Sequence, residues 1–377
     1  MKIVQMVSRM DVLGGAQIHV FDLTKGLIEH GHEVCVLAYG TGKLTNDLEA
    51  LGIKYYELEY LKLTINPITD TLALFEVRKI LHEIQPDIIA LHSSKAGVIG
   101  RIVGRQLNIP TVFTSHSWSF SSANNFIKRT AYILIERLIG RLSTGIITVS
   151  KHDYTDGKKY KIANHIDMQL IHNGVHDVMQ KNKSKIESTL INIVMVARFA
   201  YPKDHILLLN ALTKVDYKNW QLTLIGDGPN LNDVKSYAKK SNLNHQIIFL
   251  GESRNVNEHL EKADLFILIT KSEGLPLSII EAMRAGLATI ASNVGGIKEL
   301  IDHNHTGFLV KRDDVEEITT AITTLLRDTH SRNQFGIEAR KKYQREFTFT
   351  KMLQETEEYY EQVLLNHQSK IKEVMEG

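Results

Sequence analysis

Two carboxylates, Glu273 and Glu281, stand eight positions apart in Thr270 to Gly286, TKSEGLPLSIIEAMRAG. This stretch leaves an apolar strand, DLFILIT, through a loop into a helix, so both carboxylates frame one helix N-terminus. Unpaired amides at such an end hold phosphate well. Gly274 is expected to let the backbone turn sharply, and Pro276 suits the first helical turn because it has no N–H to lose. A Glu before the helix and another two turns inside it could hydrogen-bond separate groups of a ligand whose phosphates lie between them. The competing reading is an acidic residue favourable to the helix dipole, with a surface Glu further on.

Other polar residues sit at strand ends. Arg198 follows the apolar strand INIVMVA, and Lys203 lies five positions later in RFAYPKDH, ahead of a helix starting near His205. Two cations there are disposed to clamp a diphosphate, Arg as a fork and Lys as a point charge. Because a charge directly after an apolar strand is costly unless used, the clamp is preferred to solvated surface charges. Gly14 and Gly15, in RMDVLGGAQ, head the first helix and allow close approach of a phosphate or sugar, but they lack the spacing of a dinucleotide fingerprint. His116, in FTSHSWSF, ends another apolar strand and could orient or polarise a substrate hydroxyl; a structural histidine is the alternative. No metal-ligating cluster stands out, since His303 and His305 in HNHTG have no ligands at suitable spacing, and the chain has no Asp-x-Asp pair to carry magnesium.

These residues need a scaffold that gathers strand ends. Short, continuously apolar runs alternate with helical patterns throughout, which predicts parallel sheets covered on both faces. Strands are expected at Ile3–Ser8, Glu33–Tyr39, Lys54–Leu58, Ile88–His92, Thr111–Ser115, Gly145–Val149 and Gln169–Ile171 in the first half. The second half repeats the pattern at Asn192–Ala197, Gln221–Ile225, Ile247–Leu250, Asp264–Thr270, Thr289–Ser292 and Gly307–Val310. The fold class is therefore α/β, with two doubly wound, Rossmann-like domains, 1–177 and 188–350. The polar segment His176–Glu187 serves as linker. A terminal helix over about 351–374 either crosses back onto the first domain or stays on its own. In such folds ligands bind beyond the carboxyl ends of strands.

The 377 residues, 43% hydrophobic and 23% charged, suffice for two cores. A formal charge of +2 offers no overall case for nucleic acid, but the basic residues are unevenly spread. Leu91–Lys161 holds eleven Lys/Arg against three Asp/Glu, whereas Met1–Ala90 holds eight against twelve. Within the basic region, the predicted helix Phe126–Leu142 carries Lys128, Arg129, Arg137 and Arg141 among Ile127, Ile133, Leu134, Leu138 and Leu142. It could lie on an anionic membrane surface, or pack its apolar stripe on the core with the cations in water. Gly97, Gly100 and Gly104 are read as permitting close helix packing. The single Cys35 excludes an intrachain disulfide, and no apolar run approaches the ~20 residues that span a bilayer. A cytoplasmic protein is expected, at most peripheral to the membrane.

Taken together, the Glu-x7-Glu block EGLPLSIIEAMRAG, the following ASNVGG and TGFLV, the GGAQ loop, the Arg198 and Lys203 pair, ITVS at 147–150, HNGV at 172–175 and IGDGP at 225–229 resemble the retaining GT-B glycosyltransferases of family 4. The resemblance covers essentially the whole chain. It implies two Rossmann-like domains facing a central cleft, the first for the acceptor and the second for a nucleotide-sugar donor. It further implies that Arg198 and Lys203 bind the donor diphosphate and Glu281 the ribose. Glu273 and the backbone of Gly274, Leu275, Pro276 and Leu277 would take the donor sugar and phosphate, and Arg254 would lie in the loop that contacts the base. Gly14 and Gly15 would face the diphosphate and sugar, and His116 would stand near the reacting centre. The family usually needs no metal, so no cofactor is expected. The region from Thr114 to Leu138 looks most like bacterial capsule, exopolysaccharide and lipopolysaccharide enzymes, which implies a UDP-sugar, a hexosyl- or N-acetylhexosaminyltransferase activity and a lipid-linked or saccharide acceptor.

In that chemistry the leaving nucleoside diphosphate gathers negative charge, which Arg198, Lys203 and a helix N-terminus would stabilise. The same phosphate could take the proton of the incoming hydroxyl, giving retention without a covalent enzyme intermediate. A nucleotide-sugar epimerase and a non-catalytic nucleotide-sugar-binding protein are the rival readings.

Overall fold

A computed structural model of the chain describes residues 1–62, 64–123, 125–162, 166–178, 190–253 and 255–376. All thirteen strands expected from the apolar runs are present, with ends differing by at most a few residues. In chain order the first elements are β1 (Lys2–Arg9), α1 (Gly15–Glu29), β2 (Glu33–Tyr39), α2 (Lys43–Ala50), β3 (Lys54–Glu57), α3 (Pro67–Ile84) and β4 (Ile88–His92). There follow α4 (Ser94–Leu107), β5 (Thr111–Ser115), α5 (Phe126–Gly140), β6 (Gly145–Thr148), α6 (Lys151–Lys159) and β7 (Met168–Leu170). The seven strands form one parallel sheet in the order β3-β2-β1-β4-β5-β6-β7.

The second sheet is built from β8 (Ile191–Val196), α7 (His205–Thr213), β9 (Trp220–Ile225), α8 (Leu231–Lys240), β10 (Ile247–Gly251), α9 (Val256–Lys262) and β11 (Leu265–Leu268). It continues through α10 (Leu277–Arg284), β12 (Ala288–Ser292), α11 (Ile297–Leu300), β13 (Gly307–Val310), α12 (Val315–Arg327) and α13 (Thr329–Glu346), and α14 (Phe349–Glu376) ends the chain. Its parallel order is β10-β9-β8-β11-β12-β13. Both sheets reverse their order beside the first strand of the unit, β1 or β8, and such a switch point is where doubly wound sheets hold ligands.

Met1–His172 and Lys351–Gly377 form one compact unit, and Asn173–Thr350 the other. The first unit thus stops five residues short of the expected boundary at 177. Asn173–Asp177 instead packs within the second unit: Val175 pairs with Thr348, Tyr343 Oη donates to Val175 O (3.0 Å), and Arg340 forks Asp177 at 2.8 Å. Most of the expected linker, 179–187, lies outside the described residues. The last helix belongs to the first unit from Lys351 onward, where Tyr359 Oη donates to Asp167 O (2.7 Å) and accepts from Ile146 N (3.1 Å).

Glycines set how closely helices lie on the first sheet. A Cβ on Gly100 would stand 2.2 Å from a Leu91 methyl, one on Gly104 2.3 Å from a Thr111 methyl, and one on Gly97 2.7 Å from the Phe113 ring. Their role is to seat α4 on β4 and β5, helix on sheet. Cys35 is buried in β2, and burial pushes its thiol up to about 11. Among the described residues no helix is long and apolar enough to cross a membrane.

The basic helix packs Tyr132 and Ile133, both half-buried, against the core, yet leaves much of its apolar surface outside. Its buried residues are Glu136 and Gly140, while Phe126 is 81% and Ile127 77% exposed, and Leu134, Ile135 and Leu138 are exposed as well. The reason is the buried ion pair of Glu136 with Arg101 of α4, which turns the polar residue inward (3.2 Å). Lys128, Arg129, Arg137 and Arg141 are all exposed, Arg129 also donating to Tyr160 Oη (2.8 Å).

Candidate active site

In the second unit, the candidate residues gather at the carboxyl ends of β8 and β11. After β8 the chain runs through Arg198 to Lys203, whose backbone bridges to Thr270, and Asp204 N donates to Ile269 O (2.9 Å). This zips the two strand ends together and sets the Lys203 ammonium against the Glu273 carboxylate. Thr270 Oγ1 donates to the same carboxylate oxygen (2.7 Å). Both partners are largely shielded, at 17% and 11% side-chain exposure, so the pair is screened far less than a surface pair would be. The two-cation clamp read from sequence is therefore unequal: Lys203 is held by an anion, whereas Arg198 is exposed. Exposure also removes the argument that Arg198 must be used because a charge after an apolar strand would be buried.

Glycine loops brace both segments of the site, the loop that carries Glu273 and the backbone that follows β8. Gly295 has φ +52° and its missing Cβ would lie 1.9 Å from Glu273 O, while Gly296 N donates to Gly274 O (3.0 Å). Gly226 and Gly228, also at positive φ, let IGDGP lie against the backbone after β8: added Cβ atoms would come 2.2 Å from Ala197 O and 2.5 Å from Phe199 O. These contacts explain ASNVGG and IGDGP as close-approach segments. Gly274 itself is not at positive φ, so the special backbone conformation resides in Gly295, across the contact.

Helix α10 begins at Leu277, with Pro276 as its N-cap (φ −68°) and not inside the first turn. Ile279 and Ile280 donate to Pro276 O, whereas the main-chain N–H groups of Leu277 and Ser278 have no acceptor among the described residues. That leaves donors able to take an anion. Leu275 is buried and its carbonyl accepts from Asn173 Nδ2 (2.8 Å), a function for the Asn of HNGV that sequence reading did not supply. Glu281 is half-buried, one turn into α10 and not two. Arg254 lies outside the described residues.

In the first unit, Gly14 caps α1 with extended backbone (φ −124°), a conformation open to any residue. An added Cβ there would meet only the mobile tip of Gln17, whose Nε2 donates to Arg9 O (3.1 Å); Gly15 is exposed. His116 follows β5 and is half-buried between two imidazoles absent from the sequence reading, His19 of α1 and His92 at the end of β4. The ring centroids lie 4.8 Å (His19 to His116) and 5.4 Å (His92 to His116) apart. His92 also meets Gln5 Oε1 through Nε2 (2.7 Å) and His116 Nε2 through Nδ1 (3.2 Å). Ser93, next along, has φ +88°, a strained conformation for a residue with a side chain, held by bonds to Ser8 N (3.1 Å) and Ser8 Oγ (2.6 Å).

The trio corrects the expectation that no group of metal-ligand type comes together, since its ring nitrogens lie within 4.8 Å of one another. Imidazole suits zinc and similar ions. The signal for His92 was available: it ends a strand neighbouring β5, where loops after strands were the place to look. His19, a turn into α1, gave no such sign.

Burial holds all three imidazoles neutral, His116 down to about 4 and His19 and His92 well below the ordinary value, the latter two further opposed by the charge of neighbouring imidazoles. His205, buried and stacked on Phe199, is likewise lowered to about 4 by burial. The unfolded chain protonates histidine near pH 6.5, so their contribution to stability is complete above that pH and is lost as pH falls toward 4. Urea midpoints should therefore fall steeply from pH 6.5 to 4.5, and substituting His92 by Asn should flatten that slope.

Residues 13–177 match the sequence profile of Glycosyltransferase Family 4, and 179–342 that of Glycosyl transferases group 1. The chain is 26% identical to the Escherichia coli UDP-Gal:alpha-D-GlcNAc-diphosphoundecaprenol alpha-1,3-galactosyltransferase, covering 96% of this chain and 97% of the relative. It is 28% identical to the E. coli O-antigen biosynthesis glycosyltransferase WbnH, over 91% and 96% respectively. In fold it is similar to Anabaena HepE, solved with UDP and glucose (TM-score 0.83, 19% identity, 96% of this chain and 100% of that one). The two parallel sheets, the residues assembled at their switch points and the paired profiles lead to one assignment: the chain is a glycosyltransferase of family 4, group 1, built on the GT-B fold.

Proposed function

We propose that the enzyme moves a sugar, with retention of anomeric configuration, from a UDP-sugar to a lipid-linked saccharide in bacterial surface-polysaccharide synthesis. The observation that carries the donor half is the Lys203–Glu273 pair beside the N-terminus of α10. Lys203, Arg198 and the amides of Leu277 and Ser278 meet the diphosphate, Glu273 positions the donor sugar, and Glu281 takes the ribose. As the sugar–phosphate bond breaks, these groups stabilise the charge left on the nucleoside diphosphate. Its oxygen accepts the proton of the incoming hydroxyl on the same face, so no protein nucleophile is needed. His116 stands at the reacting sugar. The cations carry the phosphate charge without a metal. UDP and the lipid-linked acceptor are supported by the names of the relatives and by the UDP of the structural neighbour.

The test is a screen of UDP- and GDP-sugars against undecaprenyl-diphosphate-linked saccharides, in EDTA, with the product linkage read by NMR. An α-linked product from an α-linked UDP-sugar is expected. Inversion, a GDP requirement, or complete loss in EDTA restored by magnesium would each overturn the corresponding part. Interconversion of UDP-sugars without acceptor would favour an epimerase, and UDP binding without transfer a non-catalytic module.

The acceptor reading brings a membrane with it. We infer that the apolar residues exposed on α5, led by Phe126 and Ile127, enter the interface of the cytoplasmic leaflet while Lys128, Arg129, Arg137 and Arg141 meet anionic headgroups. At about 1 kcal/mol per cation near such a surface, replacing all four by Gln should weaken binding to phosphatidylglycerol vesicles at least tenfold in sedimentation assays. Unaltered binding would remove the membrane contact.

A further inference from the structure

His116, His92 and Gln5 form a hydrogen-bonded chain whose protons can be traced. Gln5 is fully buried on β1, and its Oε1 can only accept. The 2.7 Å contact therefore places a proton on His92 Nε2. A neutral imidazole carries one proton, so His92 Nδ1 is bare and accepts from its neighbour at 3.2 Å, His116 Nε2. His116 must then hold its own proton on Nε2, turned into the protein, which leaves Nδ1 bare. His92 is fully buried whereas His116 is partly exposed, so His116 is the member of the chain within reach of a ligand. The strained Ser93 backbone, tied to Ser8, holds the end of β4 where His92 needs to be.

We propose that Gln5 and His92 are positioning residues that fix the tautomer of His116, so that His116 meets its ligand with a bare Nδ1 and accepts a hydrogen bond from a substrate hydroxyl. This rests on the reading that His116 touches substrate. A bare nitrogen cannot donate to a phosphate oxygen, which carries only lone pairs. The hydroxyl-bearing sugar, and not the diphosphate, is then the partner of His116. A histidine held in one tautomer by its far-side partner is the device by which catalytic imidazoles are kept ready for one role.

The test uses the full-length enzyme with 15N-labelled histidine. Long-range 1H–15N spectra distinguish bare from protonated ring nitrogens, and the His116 signals are those lost in His116→Gln. Protonated Nε2 and bare Nδ1 are expected, unchanged after EDTA treatment. The opposite tautomer would overturn the proposal, as would an Nε2 signal that changes when metal is stripped, because the trio would then be a metal site. In activity, His92→Leu, which removes the acceptor, should lower kcat at least about tenfold with donor KM within about twofold. His92→Asn, which keeps an oxygen near the Nδ1 position, should recover most of kcat and guards against a Leu variant that fails to fold. Equal kcat in the wild type and both variants would overturn the positioning role. Full activity of His116→Gln would instead overturn the underlying reading of His116, whatever the tautomer.

Discussion

Lys203→Ala is expected to lower kcat/KM for sugar transfer by about 10²–10³-fold, the usual cost of removing one donor aimed at developing charge. Two effects combine. The variant loses a cation beside the diphosphate, and it leaves the shielded Glu273 carboxylate without its counter-charge, so that an anion repels the phosphates where a neutral pair stood before. The second effect makes the cycle with Glu273→Gln strongly non-additive: the double variant should bind UDP better than Lys203→Ala alone, although Glu273→Gln is itself impaired. UDP affinity by calorimetry and kcat/KM by product release measure the two parts. Arg198→Ala, at an exposed position, should cost transfer without lowering thermal stability. If Lys203→Ala stays within threefold of wild type, the diphosphate role of this residue is wrong.

Gly295→Ala carries the largest expected cost in stability. A Cβ in the left-handed region costs about 1–2 kcal/mol, and forcing an atom into packed structure about 1–3 kcal/mol more. Here the obstruction is backbone, Glu273 O at 1.9 Å, which cannot swing aside as a side-chain tip would. The sum, roughly 2–5 kcal/mol at ~2–4 °C per kcal/mol, corresponds to a fall in melting temperature of roughly 4–20 °C. Gly251→Ala is the control. Gly251 belongs to the same unit and has φ +77°, but nothing lies within 4 Å of its added Cβ, so only the conformational cost applies. Calorimetry of the two variants separates strain from collision, and equal melting temperatures would refute the collision. Because relief of the clash must move the Glu273 and Gly274 backbone, the folded fraction of Gly295→Ala should also transfer more slowly.

Much of this molecule was legible in the linear chain. Continuous apolar runs are a local signal, and each of the thirteen became a strand because a parallel sheet buried on both faces tolerates little else. The EGLP loop and the Arg198 to Lys203 segment could also be placed at strand ends, since a strand, a loop and a helix follow one another in sequence. What could not be read was which side chains meet. Lys203 and Glu273 are seventy positions apart and pair because β8 lies beside β11. Gln5, His92 and His116 join because β1, β4 and β5 are neighbours in an order the sequence does not spell out. The helix at Phe126 showed an apolar stripe but not its orientation, which the buried Arg101–Glu136 pair decided. Sequence by itself determined the elements and the residue types at their ends, because those depend on periodicity over a few residues. Tertiary structure alone decided the pairings, the tautomer chain and the exposed face, because these depend on sheet order and on which polar groups found partners once water was excluded.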